Sequence, residues 1–256
     1  MSAIYAGIDA GSRAVKIALW DADKQEIVTT GIEDQGIDQE GRAGKLLERL
    51  LSRVNLSREK IGKIIATGYG RNLIGFADSI ITEISCHARG VRHFIPDAGT
   101  IIDIGGQDSK VIHVDEKGNV RDFALNDRCA AGTGSFLEMV ARRLEKDLKK
   151  LGELALESKK PAPISNMCVV FAETEIIGLL ARAVSPPDIA AGVQASIASR
   201  IEILAGRAVR PPVIFTGGVA LIPGMSQALE AALKVPVRIP PNPQLTGALG
   251  AALLAG

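Results

Sequence analysis

The stretch GIDAGSRAVKIALWDADKQEI at residues 7–27 has a second copy in the same chain, IIDIGGQDSKVIHVDEKGNVR at residues 101–121. Each copy reads as an apolar strand, a glycine turn, an alternating strand and a polar turn, which predicts a β-hairpin followed by a third strand. The two copies therefore predict two halves built on the same plan. Four positions recur 94 residues later: Asp9, Gly11, Lys16 and Asp21 reappear as Asp103, Gly105, Lys110 and Asp115.

The two glycine turns are suited to binding phosphate. Gly11, Gly105 and Gly106 carry no Cβ, so backbone N–H groups can approach phosphate oxygens closely. The aspartate near the end of each first strand, Asp9 or Asp103, can hold Mg²⁺ through water or orient an attacking water. A single Asp-x-Gly sequence after a strand is explained equally well as an ordinary turn. Two copies in register favour the phosphate-binding interpretation.

A third glycine-rich element, VIFTGGVA at residues 213–220, predicts a buried strand that ends in Gly217-Gly218 before a helix. Strand and helix patterns alternate along the chain, which predicts an α/β fold with mixed sheets covered by helices. In this order of elements the chain resembles the actin, sugar-kinase and heat-shock-chaperone ATPase superfamily. The resemblance implies two ribonuclease-H-like domains with ATP in the cleft between them.

The pattern also indicates where these domains begin and end. The turn-forming stretch IPDAGT at residues 95–100 favours a boundary, so we expect the first domain over residues 1–98 and the second over residues 99–243. A C-terminal helix within 244–256 is expected to pack back on the first domain, as in the superfamily. The longest predicted helix spans residues 132–157.

The composition indicates the class of protein and excludes one class of partner, nucleic acid. The chain has 256 residues, of which 46% are hydrophobic and 23% are charged, and its formal net charge is +1. These values are typical of a soluble globular protein and give no basic surface for nucleic acid. No apolar run reaches the ~20 residues that a membrane-spanning helix needs. Because a strand pattern begins within the first few residues, we expect no signal peptide and a cytoplasmic location.

Three cysteines are too few, and odd in number, for a disulfide framework, which favours a reducing compartment. NDRCAAGTGSFLEMV at residues 126–140 and SNMCVVFAETEIIGLLARAV at residues 165–184 place Cys129 and Cys168 at the starts of predicted helices. A helix N-terminus stabilises a thiolate, which is the form that ligates metal. Two such thiols per chain supply the four ligands of a [4Fe–4S] cluster if a symmetric dimer shares it.

The competing interpretation is that these cysteines fill the core, since buried cysteines are common and inert. We assign Cys86, on a predicted helix, to packing. His87, His93 and His113 have no metal-ligand spacing with it.

The segments NDRCAAGTG-FL, C-VFAE-E, IDIGGQD-K-IHV, ATGYGRN and SCHA closely resemble one family. It is the family of ATP-dependent activators of 2-hydroxyacyl-CoA dehydratases, to which the ATPase subunits of benzoyl-CoA reductases are related. The resemblance implies a homodimer with one bridging [4Fe–4S] cluster, ligated by Cys129 and Cys168. ATP hydrolysis would drive a low-potential electron into a partner iron–sulfur dehydratase or reductase. Ferredoxin or flavodoxin is the implied electron donor.

The resemblance also implies which residues bind ATP or ADP and Mg²⁺. Around the phosphates these are Asp9, Gly11, Ser12, Lys16, Asp103, Gly105, Gly106, Gln107 and Lys110, and toward the nucleoside Gly132, Thr133, Gly134, Gly217 and Gly218. Mg²⁺ would lie near Asp9 and Asp103, and either Asp103 or Gln107 would orient the attacking water. The family usually has Ser-Thr after the first glycine, whereas this chain has Ser12-Arg13. Arg13 either contacts phosphate in place of the threonine or points to solvent.

Two other functions use the same hairpins. A small-molecule kinase, acting on a sugar or a carboxylate, would need both glycine turns but leaves the cysteines without a role. A nucleotide-sensing or filament-forming actin-like protein without catalytic activity is the second alternative.

Overall fold

The computed structural model of the chain describes residues 3–164, 169–206 and 209–256, and of Val170 only the backbone. These residues form two five-stranded sheets. The strands of the first are Ile4–Ala10 (β1), Ala14–Asp21 (β2), Glu26–Asp34 (β3), Ile61–Thr67 (β4) and Ser79–Ile80 (β5). Those of the second are Thr100–Ile104 (β6), Ser109–Val114 (β7), Val120–Asn126 (β8), Val213–Thr216 (β9) and Val237–Arg238 (β10). The α/β class predicted from the sequence is confirmed.

The two sheets have the same construction. Their strand orders are β3-β2-β1-β4-β5 and β8-β7-β6-β9-β10. The central strand of each, β1 or β6, pairs antiparallel with the next strand of its hairpin and parallel with a strand that follows a crossover. This register places Asp9 opposite Lys16 and Asp103 opposite Lys110. The repeat in the sequence is therefore a structural repeat, with the same acid–lysine pair in each copy.

Several helices begin at a residue whose side chain caps the first turn. Asp38, Thr82 and Ser185 each accept a hydrogen bond from a backbone N–H of the first helical turn that follows. The helices are Gln39–Arg53 (α1), Glu83–Phe94 (α2), Gly134–Arg143 (α3), Leu148–Leu156 (α4), Val169–Ala181 (α5), Pro186–Ala205 (α6), Met225–Leu233 (α7) and Thr246–Leu253 (α8). Among the helices that the structure describes, none combines the length and apolar character of a membrane span.

The prediction of one helix over residues 132–157 is wrong. The segment forms α3 and α4, separated by a turn in which Glu145 has a φ of 54°. Asp147 then accepts a hydrogen bond from the backbone N–H of Lys150 and caps α4. A left-handed residue followed by a capping aspartate ends one helix and starts the next, although the charge pattern of this segment has helical spacing.

The chain divides into two compact units, with the first boundary between Asp97 and Ala98. The first unit comprises Met1–Asp97, Asp115–Val120 and Gln244–Gly256, and the second comprises Ala98–Val114 and Arg121–Pro243. The core of the first unit lies between β1, β2 and α1. The second core includes β6, α3 and α6. The turn at 115–120, which the sequence analysis places in the second domain, groups with the first unit.

Candidate functional site

The first acid–lysine pair lies beside the glycine turn between β1 and β2. Asp9 is buried, and its Oδ2 lies 3.0 Å from Lys16 Nζ. The Gly11 N–H donates to the carbonyl of Ala14 at 3.1 Å and closes the turn. A Cβ on Gly11 would stand 2.8 Å from Lys16 Nζ, so glycine leaves room around the ammonium group. The arrangement brings a carboxylate and a cation together next to the glycine turn.

Residues that we did not assign to the site also surround Asp9. Gly68 has a φ of 88°, and a Cβ there would come within 2.3 Å of Asp9 Oδ1. A Cβ on Gly247, in α8, would lie 3.2 Å from Asp9 Oδ2 and 3.3 Å from His87 Nε2. His87 is buried, with Nδ1 3.0 Å from Thr246 Oγ1. Gly68 and His87 lie in the segments ATGYG and SCHA, which were part of the family resemblance. That resemblance could have indicated these two residues, whereas their spacing in the sequence could not.

The second acid–lysine pair is more deeply buried and has an additional carboxylate. Lys110 is only 2% exposed, and its Nζ lies 3.5 Å from Asp103 Oδ2 and 2.7 Å from Asp108 Oδ2. Thr216 Oγ1 donates to Asp103 Oδ1 at 2.9 Å. These contacts hold both oxygens of Asp103 in place. The sequence repeat did not reveal Asp108, because the first copy has Ala14 at the equivalent position. It did not reveal Thr216 either, because this residue is 113 positions from Asp103 in the chain.

The glycine turn of the second hairpin is hydrogen-bonded to the start of α3. The carbonyl of Gly105 accepts from the Gly134 N–H at 2.9 Å, and the carbonyl of Gly106 accepts from the Ser135 N–H at 2.8 Å. Ser135 Oγ also donates to the Gly106 carbonyl, at 2.5 Å. The predicted phosphate turn and the predicted nucleoside residue Gly134 are therefore brought together by the fold.

The turn after β9 lies against the same strand end. Gly217 has a φ of 88°, and a Cβ there would stand 2.3 Å from the carbonyl oxygen of Ile104. Gly218 begins a short 3₁₀ helix that ends at Leu221. A residue with a side chain could neither adopt this backbone conformation easily nor fit the space. Gly217 thus allows the β9 turn to approach the end of β6, next to Gly105.

Cys129 precedes a 3₁₀ turn at Ala130–Gly132, and α3 begins only after Thr133. The prediction that it starts the α-helix is therefore corrected by one turn. Cys129 is half-buried, and Arg200 Nη1 lies 3.9 Å from its sulfur. The side chain of Asn126 fixes the backbone at Cys129, since Nδ2 donates to the Cys129 carbonyl at 2.9 Å.

Of the two remaining cysteines, the structure describes only Cys86. Cys168 lies outside the described residues. Cys86 is fully buried, and burial raises the pKa of its thiol to about 12, as expected for a neutral packing residue. Within the described ranges, no three histidine, cysteine or acidic side chains cluster as a metal site would require.

Residues 6–255 match the model of the BadF/BadG/BcrA/BcrD ATPase family. The chain belongs to this ATPase family. An activator of lactoyl-CoA dehydratase from Anaerotignum propionicum is 46% identical over 250 residues, covering 97% of this chain and 96% of the relative. A benzoyl-CoA reductase subunit from Thauera aromatica is 32% identical, covering 98% of this chain and 92% of that relative. The resemblance inferred from the sequence motifs is confirmed.

Solved structures support the same assignment. The activator of the 2-hydroxyisocaproyl-CoA dehydratase from Clostridium difficile, with bound ADPNP, has a TM-score of 0.93 and 42% identity, covering 98% of this chain and 94% of that one. An ROK hexokinase from Thermus thermophilus has a TM-score of 0.54 at 13% identity, covering 98% and 97%, which shows a common fold alone. The predicted fold is therefore confirmed for this member of the BadF/BadG/BcrA/BcrD ATPase family.

The other predicted residues of this ATPase differ in accessibility. Arg13 and Gln107 are exposed, and Ser12 is half-buried. Gly132 and Thr133 are buried in the segment between Cys129 and α3. Their roles in binding nucleotide stay predictions.

Proposed function

We propose that this chain is an ATP-hydrolysing activator that passes a low-potential electron to a partner iron–sulfur enzyme, a 2-hydroxyacyl-CoA dehydratase or a related reductase. The names of its relatives support the activator role. The observation that carries the proposal is the hydrogen bonding between the Gly105–Gly106 turn and the residues that follow Cys129. It connects a predicted phosphate-binding turn to a predicted metal-ligating thiol within one unit.

The nucleotide-binding residues are proposed to be those of both glycine turns. Asp9 and Asp103 would hold Mg²⁺ through water, and Lys16 and Lys110 would balance the negative charge around them. The carboxylate of Asp103 accepts a hydrogen bond from Thr216 and forms an ion pair with Lys110. Its orientation is therefore fixed before a nucleotide binds. A fixed carboxylate suits the positioning of an attacking water, whereas the exposed Gln107 would first need to be ordered. This contrast favours Asp103 over Gln107 in that role.

Cys129 and Cys168 are proposed to ligate one [4Fe–4S] cluster shared by two copies of the chain. Cys129 is a suitable ligand position, because the residue is half-buried and Arg200 Nη1 lies 3.9 Å from its sulfur. A cube of this type needs four thiolates, so two copies with two cysteines each complete the set. The cluster supplies a site that takes up and releases one electron at low potential. The proposed donor of that electron is ferredoxin or flavodoxin.

ATP turnover would act on the sulfur through the glycine turn. A shift of the Gly105 and Gly106 carbonyls, as contacts to phosphate change, is transmitted to the N-terminus of α3 by three hydrogen bonds. Cys129 is joined to that helix start by one 3₁₀ turn. A differential stabilisation of only ~1.4 kcal/mol changes a one-electron equilibrium tenfold, so small movements suffice.

The kinase alternative is not favoured. Its structural support is a shared fold at 13% identity, whereas relatives at 42–46% identity over nearly the whole chain carry activator names. A kinase would also give no role to Cys129.

Anaerobic reconstitution of the full chain tests the proposed function. We expect wild-type protein to bind one cluster per dimer, measured by iron and sulfide content, electron paramagnetic resonance and analytical ultracentrifugation. Cys129→Ser should lose the iron, whereas Cys86→Ala, which alters a buried thiol, should keep it. Full iron content in Cys129→Ser, or a monomer when loaded with iron, would contradict the proposal.

A further inference from the structure

Arg200 is a cationic side chain that the fold brings to the sulfur of Cys129. Its Nη1 lies 3.9 Å from Cys129 Sγ, although the two residues are 71 positions apart in the chain. Arg200 lies in α6, where the neighbouring Ile197 and Ile201 are buried in the core of the second unit and anchor the helix. The arginine is therefore held near the sulfur by the packing of α6.

The stem of Arg200 lies against the 3₁₀ turn that follows Cys129. A Cβ on Gly132 would stand 3.8 Å from Arg200 Cδ, so the stem of the arginine packs directly along this turn. Arg200 is half-buried, which limits its freedom to move away and reduces screening by solvent. A guanidinium group also remains charged at every pH at which the protein is folded.

A fixed positive charge beside the sulfur has a definite effect on an electron-accepting group attached there. Taking up one electron adds one negative charge, and a nearby cation stabilises the reduced form more than the oxidised form. A hydrogen bond to a ligating sulfur acts in the same direction. Both effects raise the reduction potential, so their removal should lower it.

We infer that Arg200 is a positioning residue that raises the reduction potential of the iron–sulfur cluster through its contact with Cys129. The inference rests on the proposed function, in which Cys129 is a cluster ligand. Arg200 sets how easily the donor loads the electron, and therefore how much driving force ATP turnover must add to pass it on.

The midpoint potential of the reconstituted full-length protein tests this role. In a titration followed by electron paramagnetic resonance, Arg200→Gln should change the ratio of reduced to oxidised cluster tenfold at a fixed potential, a shift of about 59 mV to more negative values. Arg200→Lys keeps the charge and should restore much of the difference. Arg128→Gln removes an arginine adjacent to Cys129 in sequence, but its side chain is 97% exposed, so the potential should not change.

The outcomes separate this inference from the proposed function. If wild-type protein binds no cluster, both are overturned. If it binds one and Arg200→Gln leaves the midpoint potential unchanged, or shifts it no more than Arg128→Gln does, only the role of Arg200 is overturned.

A second measurement decides the case in which Arg200→Gln fails to load iron. The alkylation rate of Cys129 in the metal-free protein, followed by mass spectrometry of its peptide, should fall in Arg200→Gln and not in Arg128→Gln. Equal rates in both variants would refute the contact.

Discussion

The crossing of α2 and α8 provides a sharp test of the packing in the first unit. The two helices touch backbone to backbone, because an ideal Cβ on Gly250 would stand 1.7 Å from the carbonyl oxygen of Cys86, and one on Gly90 would stand 1.9 Å from that of Thr246. Ordinary contacts of a Cβ lie at 3.4–4 Å. A Gly250→Ala substitution therefore forces the helices apart by more than 1 Å in a region without flexible side chains to yield.

The expected loss of stability follows from two opposing effects. Overpacking a core position costs about 1–3 kcal/mol, and a clash with backbone belongs at the upper end of that range. Alanine is a better helix former than glycine by roughly 1 kcal/mol, which offsets part of the loss. We therefore expect Gly250→Ala to lower the free energy of unfolding of the first unit by ~2 kcal/mol.

Trp20 reports directly on this region. It is the only tryptophan of the chain, is 3% exposed, and packs in one cluster with Ala248, Leu249 and Ala252 of α8. Its fluorescence during urea unfolding should show a lower midpoint for Gly250→Ala than for wild type.

Gly44→Ala is the matched control for this experiment. Gly44 also lies in a helix of the first unit, but a Cβ there would meet only Phe76 Cε1, at 3.8 Å. Because there is no clash, the gain in helix propensity should raise the free energy of unfolding by up to ~1 kcal/mol and so raise the urea midpoint. If Gly250→Ala were as stable as wild type or stabilised like Gly44→Ala, the inferred contact between α2 and α8 would be refuted.

Two further predictions concern charges in the second unit. Lys110→Met leaves two carboxylates without their buried cation and should destabilise the protein by about 3–5 kcal/mol in urea unfolding followed by circular dichroism. Lys150→Met, which removes an exposed ion pair, should have an effect below ~1 kcal/mol, and equal losses in the two variants would contradict the reasoning. Hydrogen bonds from Ser158 and Ser185 lower the pKa of Asp188 from 3.8 to about 2, so its stabilisation is present above pH 3.8 and is lost as pH falls toward 2. Asp188→Asn should lower the urea midpoint at pH 7, with a difference that shrinks below pH 3.8; a constant difference would refute this.

Much of the fold was predictable because its signals are local. An apolar strand that meets a glycine turn and is followed by an alternating strand specifies a hairpin within about twenty residues of sequence. The repeat added the register, since equivalent residues in two copies must occupy equivalent positions. The equivalence of Asp9 with Asp103, and of Lys16 with Lys110, follows from that alone.

The contacts that the sequence could not predict are non-local. Arg200 reaches Cys129 across 71 positions, and Thr216 reaches Asp103 across 113. No spacing rule connects such pairs, because their proximity depends on how helices and strands pack. The burial of Lys110 was also unexpected, because lysine is rarely buried unless it is paired and the pairing was not visible in advance.

The two copies of the hairpin differ in where the polar groups of the turn are directed, and this difference bears on the proposed mechanism. In the first copy the carbonyl of Gly11 accepts from Gln35 Nε2, at 2.9 Å, close to its own sheet. In the second copy the carbonyls of Gly105 and Gly106 accept from the start of α3, the helix that follows Cys129. Among the described residues, these hydrogen bonds connect only the second turn to the segment with the thiol. Under the proposed mechanism, the second copy therefore has the contacts that coupling to a metal site would require, whereas the first copy would serve only to hold the nucleotide.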